Sequence, residues 1–224
     1  MVQPMQLPAR HAAMRPVVEH EYFDHRVVPQ LEAYLAEQAS SGTYDFEANK
    51  ALLKLYQFFP DLVKADMVAL AAGKALMALP APDFAALSYL APAAALAAEP
   101  LTSLARALDA LEGARYGAFW AVTREPEAAA LIQRLPGFAD QARRVALSAL
   151  AATFQSVPLS ALEEAVALSG AELEAFVGGL GGEVKLGDGR AAFARNEFNQ
   201  MQPKRFKESV EFEKVLKAVG TLSG

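Results

Sequence analysis

Prolines and glycines cut the helical pattern of this chain into short, regular lengths, and this limits its possible folds more than any other feature. Ala48, Leu52, Leu55, Tyr56 and Phe59 fall at i, i+4, i+7, i+8 and i+11, one apolar stripe at the helical period, and Pro60 stops it. Upstream, Leu31, Tyr34, Leu35 and Gln38 keep the same spacing until Ser41-Gly42, and Asp45 is placed to N-cap the helix that follows. A third helix is predicted over residues 62–79, ended by Pro80 and Pro82. Shorter helices follow near 84–96, 101–111, Tyr116–Val122 and 127–135, punctuated by Pro100, Gly113, Pro126 and Pro136. Helices this short are marginal alone, so their stability must come from burying apolar stripes against one another. Seven of them joined by short turns predict antiparallel pairs stacked in a helical-repeat-like layer over 26–136, without a strict sequence repeat.

Past Pro136 the texture changes. A longer helix is predicted over 139–154, then two short ones over 161–168 and 171–180, separated by Ser169-Gly170. Val184 and Leu186 alternate with polar residues, and Gly187-Asp188-Gly189 carries the Asp-Gly signal of a hairpin turn. Helix, turn, helix and a small β-hairpin is the layout of a winged helix, assigned to 137–199. Residues 1–25 read as an N-terminal arm, because Pro4, Pro8 and Pro16 break any helix there. Residues 200–224 read as a polar linker and a terminal amphipathic helix, with Phe212, Val215, Leu216 and Val219 at i, i+3, i+4 and i+7. The expected fold is therefore mainly α: a helical layer, a winged helix and a C-terminal helix.

Alanine supports that class, since 47 of the 224 residues are the strongest helix former. The absence of cysteine excludes disulfides, a thiol nucleophile and thiolate-bound metals. All three histidines, His11, His20 and His25, fall in the arm. His20 and His25 stand five apart, which turns them about 140° from each other on a helix and spoils a shared metal site. Gly187, Gly189 and Ala192 fit a dinucleotide fingerprint by letter, but no β-α-β unit surrounds them, and a wing turn explains them. No Gly-Lys-Ser/Thr or Gly-x-Ser-x-Gly run occurs, and nothing gathers Glu163, Glu164, Glu172 and Glu174 into a cleft. The reading is non-catalytic, with no cofactor and no metal.

Charge bears on partners. The chain carries a net charge of −5, opposite to the basic excess that gives nucleic-acid binders their affinity. Between Leu159 and Ala194 only Lys185 and Arg190 are basic, against Glu163, Glu164, Glu172, Glu174, Glu183 and Asp188. The second helix of the winged helix has no basic residue, so it is poorly suited to a DNA groove and reads as a protein-interaction surface. One basic cluster, Lys204-Arg205-Phe206-Lys207, could meet RNA phosphate and stack a base, against the plainer reading of a solvated linker. No apolar run reaches the roughly 20 residues of a membrane span, and the N-terminus lacks the apolar core of a secretory signal. A cytoplasmic protein is expected. Trp120, the sole tryptophan, sits in a short apolar helix and is expected to be buried.

The order of helical layer, winged helix and terminal helix resembles the PCI-type scaffold subunits of the proteasome lid, the COP9 signalosome and a translation initiation factor. Tyr34-Leu35-Ala36-Glu37-Gln38-Ala39, Tyr44-Asp45-Phe46-Glu47-Ala48-Asn49 and Leu52-Leu53-Lys54-Leu55-Tyr56-Gln57-Phe58 are similar to the k-subunit family of eukaryotic translation initiation factor three. Ala118-Phe119-Trp120, Gly137-Phe138, Asp140, Arg143 and the segment 210–219 extend the resemblance over about residues 28–220. The resemblance implies a non-catalytic scaffold with a HEAT-analogous helical domain and a winged helix. It implies pairing with the l subunit and other subunits of the factor, and action on the small ribosomal subunit through that complex. Phe212, Val215, Leu216 and Val219 would then be the partner-binding face. The runner-up readings are a scaffold of the proteasome lid or signalosome, and a winged-helix nucleic-acid-binding regulator.

Overall fold

The structure is a computed structural model and describes residues 5–20, 23–200 and Phe212. The chain starts with α1 (His11–His20), then α2 (Val28–Ser41), α3 (Phe46–Phe58) and α4 (Ala65–Met77). Gly42 closes α2 in the left-handed conformation, and the Asp45 carboxylate caps α3 by accepting from the Ala48 amide. The stripe predicted from spacing faces inward: Leu52, Leu55 and Tyr56 are at most 1% exposed. Burying each such side chain contributes about 1.5–3 kcal/mol.

The layer is built around α4. Every residue from 68 to 77 is buried, and the helix packs on α2 and α3 as well as on four elements that follow it. Those are α5 (Asp83–Ser88), α7 (Leu101–Glu112), α9 (Pro126–Ile132) and α10 (Phe138–Thr153). A helix touched on all sides needs small side chains for its neighbours to come close, and Ala69, Ala71, Ala72, Gly73 and Ala75 supply them. Two further short helices, α6 (Ala93–Leu96) and α8 (Tyr116–Val122), lie on either side of α7 in the chain and pack against it.

The C-terminal unit runs α10, β1 (Ser156–Pro158), α11 (Leu159–Val166), α12 (Gly170–Gly178), β2 (Val184–Gly187) and β3 (Arg190–Phe193). The three strands form an antiparallel sheet in the order β1-β3-β2, with Val184 opposite Phe193 and Ser156 opposite Ala192. Asp188 and Gly189 both take positive φ, the two-residue turn that Asp-Gly favours in hairpins. Val157, Val184, Ala191 and Phe193 face the core. Three helices with a small three-stranded antiparallel sheet have the layout expected of a winged helix, with α10 as the first helix.

Three details differ from the sequence reading. The arm is not free of helix: α1 forms with Pro16 inside it. An interior proline removes a helical hydrogen bond, but here Met14 is fully buried and α1 packs on α3, and that tertiary contact offsets the loss. The helix expected over 84–96 is two, α5 and α6, because Pro92 falls between them. β1 was not foreseen, since three residues are too few to show a two-residue period.

Candidate functional site

Some of the residues that carry the family resemblance fall in two buried clusters. The first lies between α2 and α3. Gln38 Oε1 accepts from the Asp45 amide (2.7 Å) and from Asn49 Nδ2 (3.1 Å), while Gln38 Nε2 donates to Asn49 Oδ1 (2.9 Å). Tyr34 donates its hydroxyl to Asp45 Oδ2 (3.0 Å), and His11 Nδ1 lies 2.8 Å from the same oxygen. Tyr56 donates to Glu32 (2.7 Å), which also pairs with Lys64. Burial first, and the neighbouring carboxylates second, push the Tyr34 and Tyr56 phenols well above their ordinary pKa. The Tyr44 phenol, bonded to Asp83, moves the same way, chiefly through burial. These polar groups satisfy one another and fix how α2, α3 and α1 sit together.

The second cluster joins the helical layer to the winged helix. Trp120 of α8 is 8% exposed, and its indole Nε1 donates to the Ala165 carbonyl at 3.0 Å. Arg143 of α10 donates from Nε to the Val166 carbonyl (3.0 Å) and from a terminal nitrogen to Asp140 (2.9 Å). Its guanidinium also lies over the Trp120 ring, 5.6 Å from the centroid. Ala165 and Val166 end α11, where carbonyls have no partner inside the helix, and Ala167 follows with φ at 49°. Trp120 and Arg143 therefore cap α11 from two different helices. Phe119 packs edge-on to Trp120 at 4.8 Å and stacks with Phe138 at 6.4 Å. Sequence reasoning placed Trp120 in the core correctly but missed that it and Arg143 act on one helix end.

The outer face of the winged helix is acidic. Glu164, Glu172, Glu174 and Asp188 are exposed, and α12 presents no cation. Beyond β3, Asn199 Nδ2 donates to the Ala151 and Ala194 carbonyls, and Asn196 Nδ2 donates to Ala151 as well. These bonds fix residues 196–199 to the end of α10, beside the exposed rings of Phe154 and Phe198. Of the residues predicted to meet a partner, Phe212 is a helical position and 75% exposed. Val215, Leu216 and Val219, and the cluster Lys204, Arg205, Phe206 and Lys207, lie outside the described residues.

A cavity of about 310 Å³ lies between α1 and α3, lined by His11, Arg15, Glu19, Glu47, Lys50 and neighbours. Its charged groups are largely paired: Arg15 with Glu19 (2.6 Å), Lys50 with Glu47 (2.6 Å) and His11 with Asp45. No serine, threonine or cysteine is among its described lining residues. No group of three His, Cys, Asp or Glu residues among the described residues is placed to hold a metal ion. Nor, among them, is any helix long and apolar enough to cross a membrane.

Comparison with known proteins by sequence gives the chain a family. The sequence profile of the CSN8/PSMD8/EIF3K family matches residues 62–203, from the turn before α4 past the winged helix. The chain belongs to this family. Among its relatives is eukaryotic translation initiation factor 3 subunit K of Drosophila yakuba, 30% identical over 83% of this chain and 82% of that protein. Subunit K of Phaeosphaeria nodorum is 31% identical over 84% of each chain. Subunit K of Dictyostelium discoideum is 34% identical over 64% of this chain and 57% of that protein. The family match includes the Trp120–Arg143 junction, whereas the network between α2 and α3 precedes it.

Proposed function

We propose that this chain is a non-catalytic scaffold subunit of eukaryotic translation initiation factor 3, acting in the cytoplasm. The observation that carries the reading is the likeness to subunit K proteins over more than four-fifths of both chains. The structure supports it physically. The buried amides between α2 and α3 satisfy one another, and the junction is closed by side chains that cap a helix rather than line a cleft. Binding surfaces of such a subunit are outer faces: the acidic winged helix and the C-terminal segment containing Phe212, Val215, Leu216 and Val219. The l subunit is the proposed direct partner, and contact with the small ribosomal subunit is made through the whole factor. The domain division follows the same reading, with a helical unit over 26–136, a winged helix over 137–199 and a partner-binding C-terminal segment.

Affinity capture of the tagged full chain from native lysate tests this. Stable recovery of initiation-factor subunits is expected. Recovery of proteasome-lid or signalosome subunits instead would move the chain to another branch of its family, whose description covers all three. Absence of all such subunits would overturn the scaffold reading.

A further inference from the structure

Lys74 sits on α4 with 0% exposure. All residues from 68 to 77 are buried, so its side chain has no wet face along which to reach water. The other buried charged side chains among the described residues have strong partners: Glu32 takes Tyr56 and Lys64, and Asp45 takes Tyr34 and His11. The Lys74 ammonium instead meets the thioether of Met5, Nζ to Sδ 3.9 Å, a weak acceptor. Charged groups on the elements packed against α4 are engaged elsewhere or at the surface. Asp83 of α5 accepts from Tyr44, Arg106 of α7 pairs with Glu125, Asp109 with Arg115, and Arg143 of α10 with Asp140. Glu47 and Lys50 of α3 pair with each other, Glu37 of α2 pairs with Arg10, and Asp66 of α4 itself pairs with Arg134. Lys54, Glu112, Glu127 and Arg144 are exposed. Burial alone pushes Lys74 down to about 8.

Met5 belongs to the segment 5–10 that precedes α1. This strap is held at a few points: the Gln6 carbonyl accepts from the Tyr44 amide at 2.9 Å, Pro8 is buried, and Arg10 pairs with Glu37 at 3.2 Å. Leu7 points outward, 57% exposed.

We propose that residues 5–10 form a lid over Lys74, and that the charge on this buried ammonium drives the lid open. With the lid closed, a protonated Lys74 loses its hydration and gains no counter-ion. With the lid lifted, water returns to it. A neutral Lys74 carries no such penalty. Burial in the closed form brings the lysine down to about 8, and water returning in the open form moves it back toward its ordinary 10.5. Below about pH 8 the lysine is charged in both forms and the lid bears the full penalty. As pH rises from about 8 to 10.5 the closed form becomes neutral and closing is favoured. The lid is therefore loosest at neutral and lower pH and tightens through that window, by about tenfold between pH 7 and pH 9.

Hydrogen exchange of the Tyr44 amide in the full chain, read by NMR and corrected for intrinsic exchange at each pH, tests the device, because its acceptor is the strap. Tyr44 protection is expected to rise about tenfold from pH 7 to pH 9, while the Leu52 amide inside α3 exchanges far more slowly throughout. Lys74→Met should show higher Tyr44 protection at pH 7 and no rise. Met5→Glu supplies a counter-ion, and should likewise raise protection at pH 7; it serves as the comparison if Lys74→Met does not fold. A flat wild-type profile, or a rise that survives in whichever variant folds, would overturn the proposal. So would Tyr44 exchanging at the rate of Leu52, since the lysine would then be exposed only by global unfolding.

Discussion

Gln38 and Asn49 exchange two amide hydrogen bonds in a site where both side chains are at most 1% exposed. Gln38→Leu would leave Asn49 without its partner and the Asp45 amide without its acceptor. Each buried group left unsatisfied costs about 1–3 kcal/mol, so a loss of about 2–4 kcal/mol is expected in denaturant unfolding. The Gln38→Leu, Asn49→Leu double variant should lose clearly less than the sum of the two singles, because both ends of the amide pair are removed together. Additive losses in the double-mutant cycle would show that the two residues act independently. Trp120 obeys the same logic. Trp120→Phe keeps an aromatic ring but leaves the Ala165 carbonyl without its donor, and about 1–3 kcal/mol should be lost. Wild-type fluorescence should be blue-shifted, as for a buried indole; an emission maximum typical of exposed tryptophan would contradict the 8% exposure. Gln38 was legible from sequence as a helix-face residue, but its bonds were not. Its partners lie across a turn, and helical spacing reports which side a residue faces, not what it meets there.

Between elements, two glycines make opposite predictions from similar geometry. A Cβ on Gly73 would stand 2.6 Å from a Leu135 methyl, and Leu135 is 2% exposed among packed neighbours. Gly73→Ala should therefore push α4 away from Leu135, and the overpacking should destabilise the fold by about 1–2 kcal/mol despite the gain in helix propensity. A Cβ on Gly117 would meet the carboxylate tip of Glu164 at 2.8 Å, and Glu164 is exposed and free to swing into solvent. Gly117→Ala should be neutral or stabilising by up to about 1 kcal/mol. Thermal unfolding of the two variants side by side checks the contrast. Helix existence was readable wherever an apolar stripe met a proline, as at Phe59-Pro60, and Tyr116–Val122 was placed to the residue. It was not readable in α1, where local signals oppose a helix and only the burial of Met14 supports one. β1 escaped for a related reason: its three residues pair with Ser156 opposite Ala192, a contact that lies 36 residues away in sequence.

Across the whole molecule, the capping of α11 by Trp120 and Arg143 makes the winged helix a fixed extension of the helical layer, and the Asn196–Asn199 bonds tie the chain beyond β3 back to α10. A partner gripping the C-terminal segment would thereby act on the whole subunit. Phe212 stands 75% exposed at a helical position, a large ring without a buried role among the described residues. Replacing it, together with Leu216 on the same predicted face, by Asp should leave the fold intact, with an unchanged unfolding midpoint for the isolated chain. A partner interface loses about 2 kcal/mol or more when a central apolar anchor is removed, and burying a carboxylate adds to that loss. Phe212→Asp with Leu216→Asp should thus weaken assembly with co-expressed initiation-factor subunits at least about a hundredfold, read as loss of the co-eluting peak in size-exclusion chromatography. Charge reversal of Glu172 and Glu174 on α12 separates the two candidate faces. If assembly survives the C-terminal substitutions but fails after Glu172→Lys with Glu174→Lys, the acidic winged helix carries the contact, and the amphipathic pattern of residues 212–219 serves the chain itself.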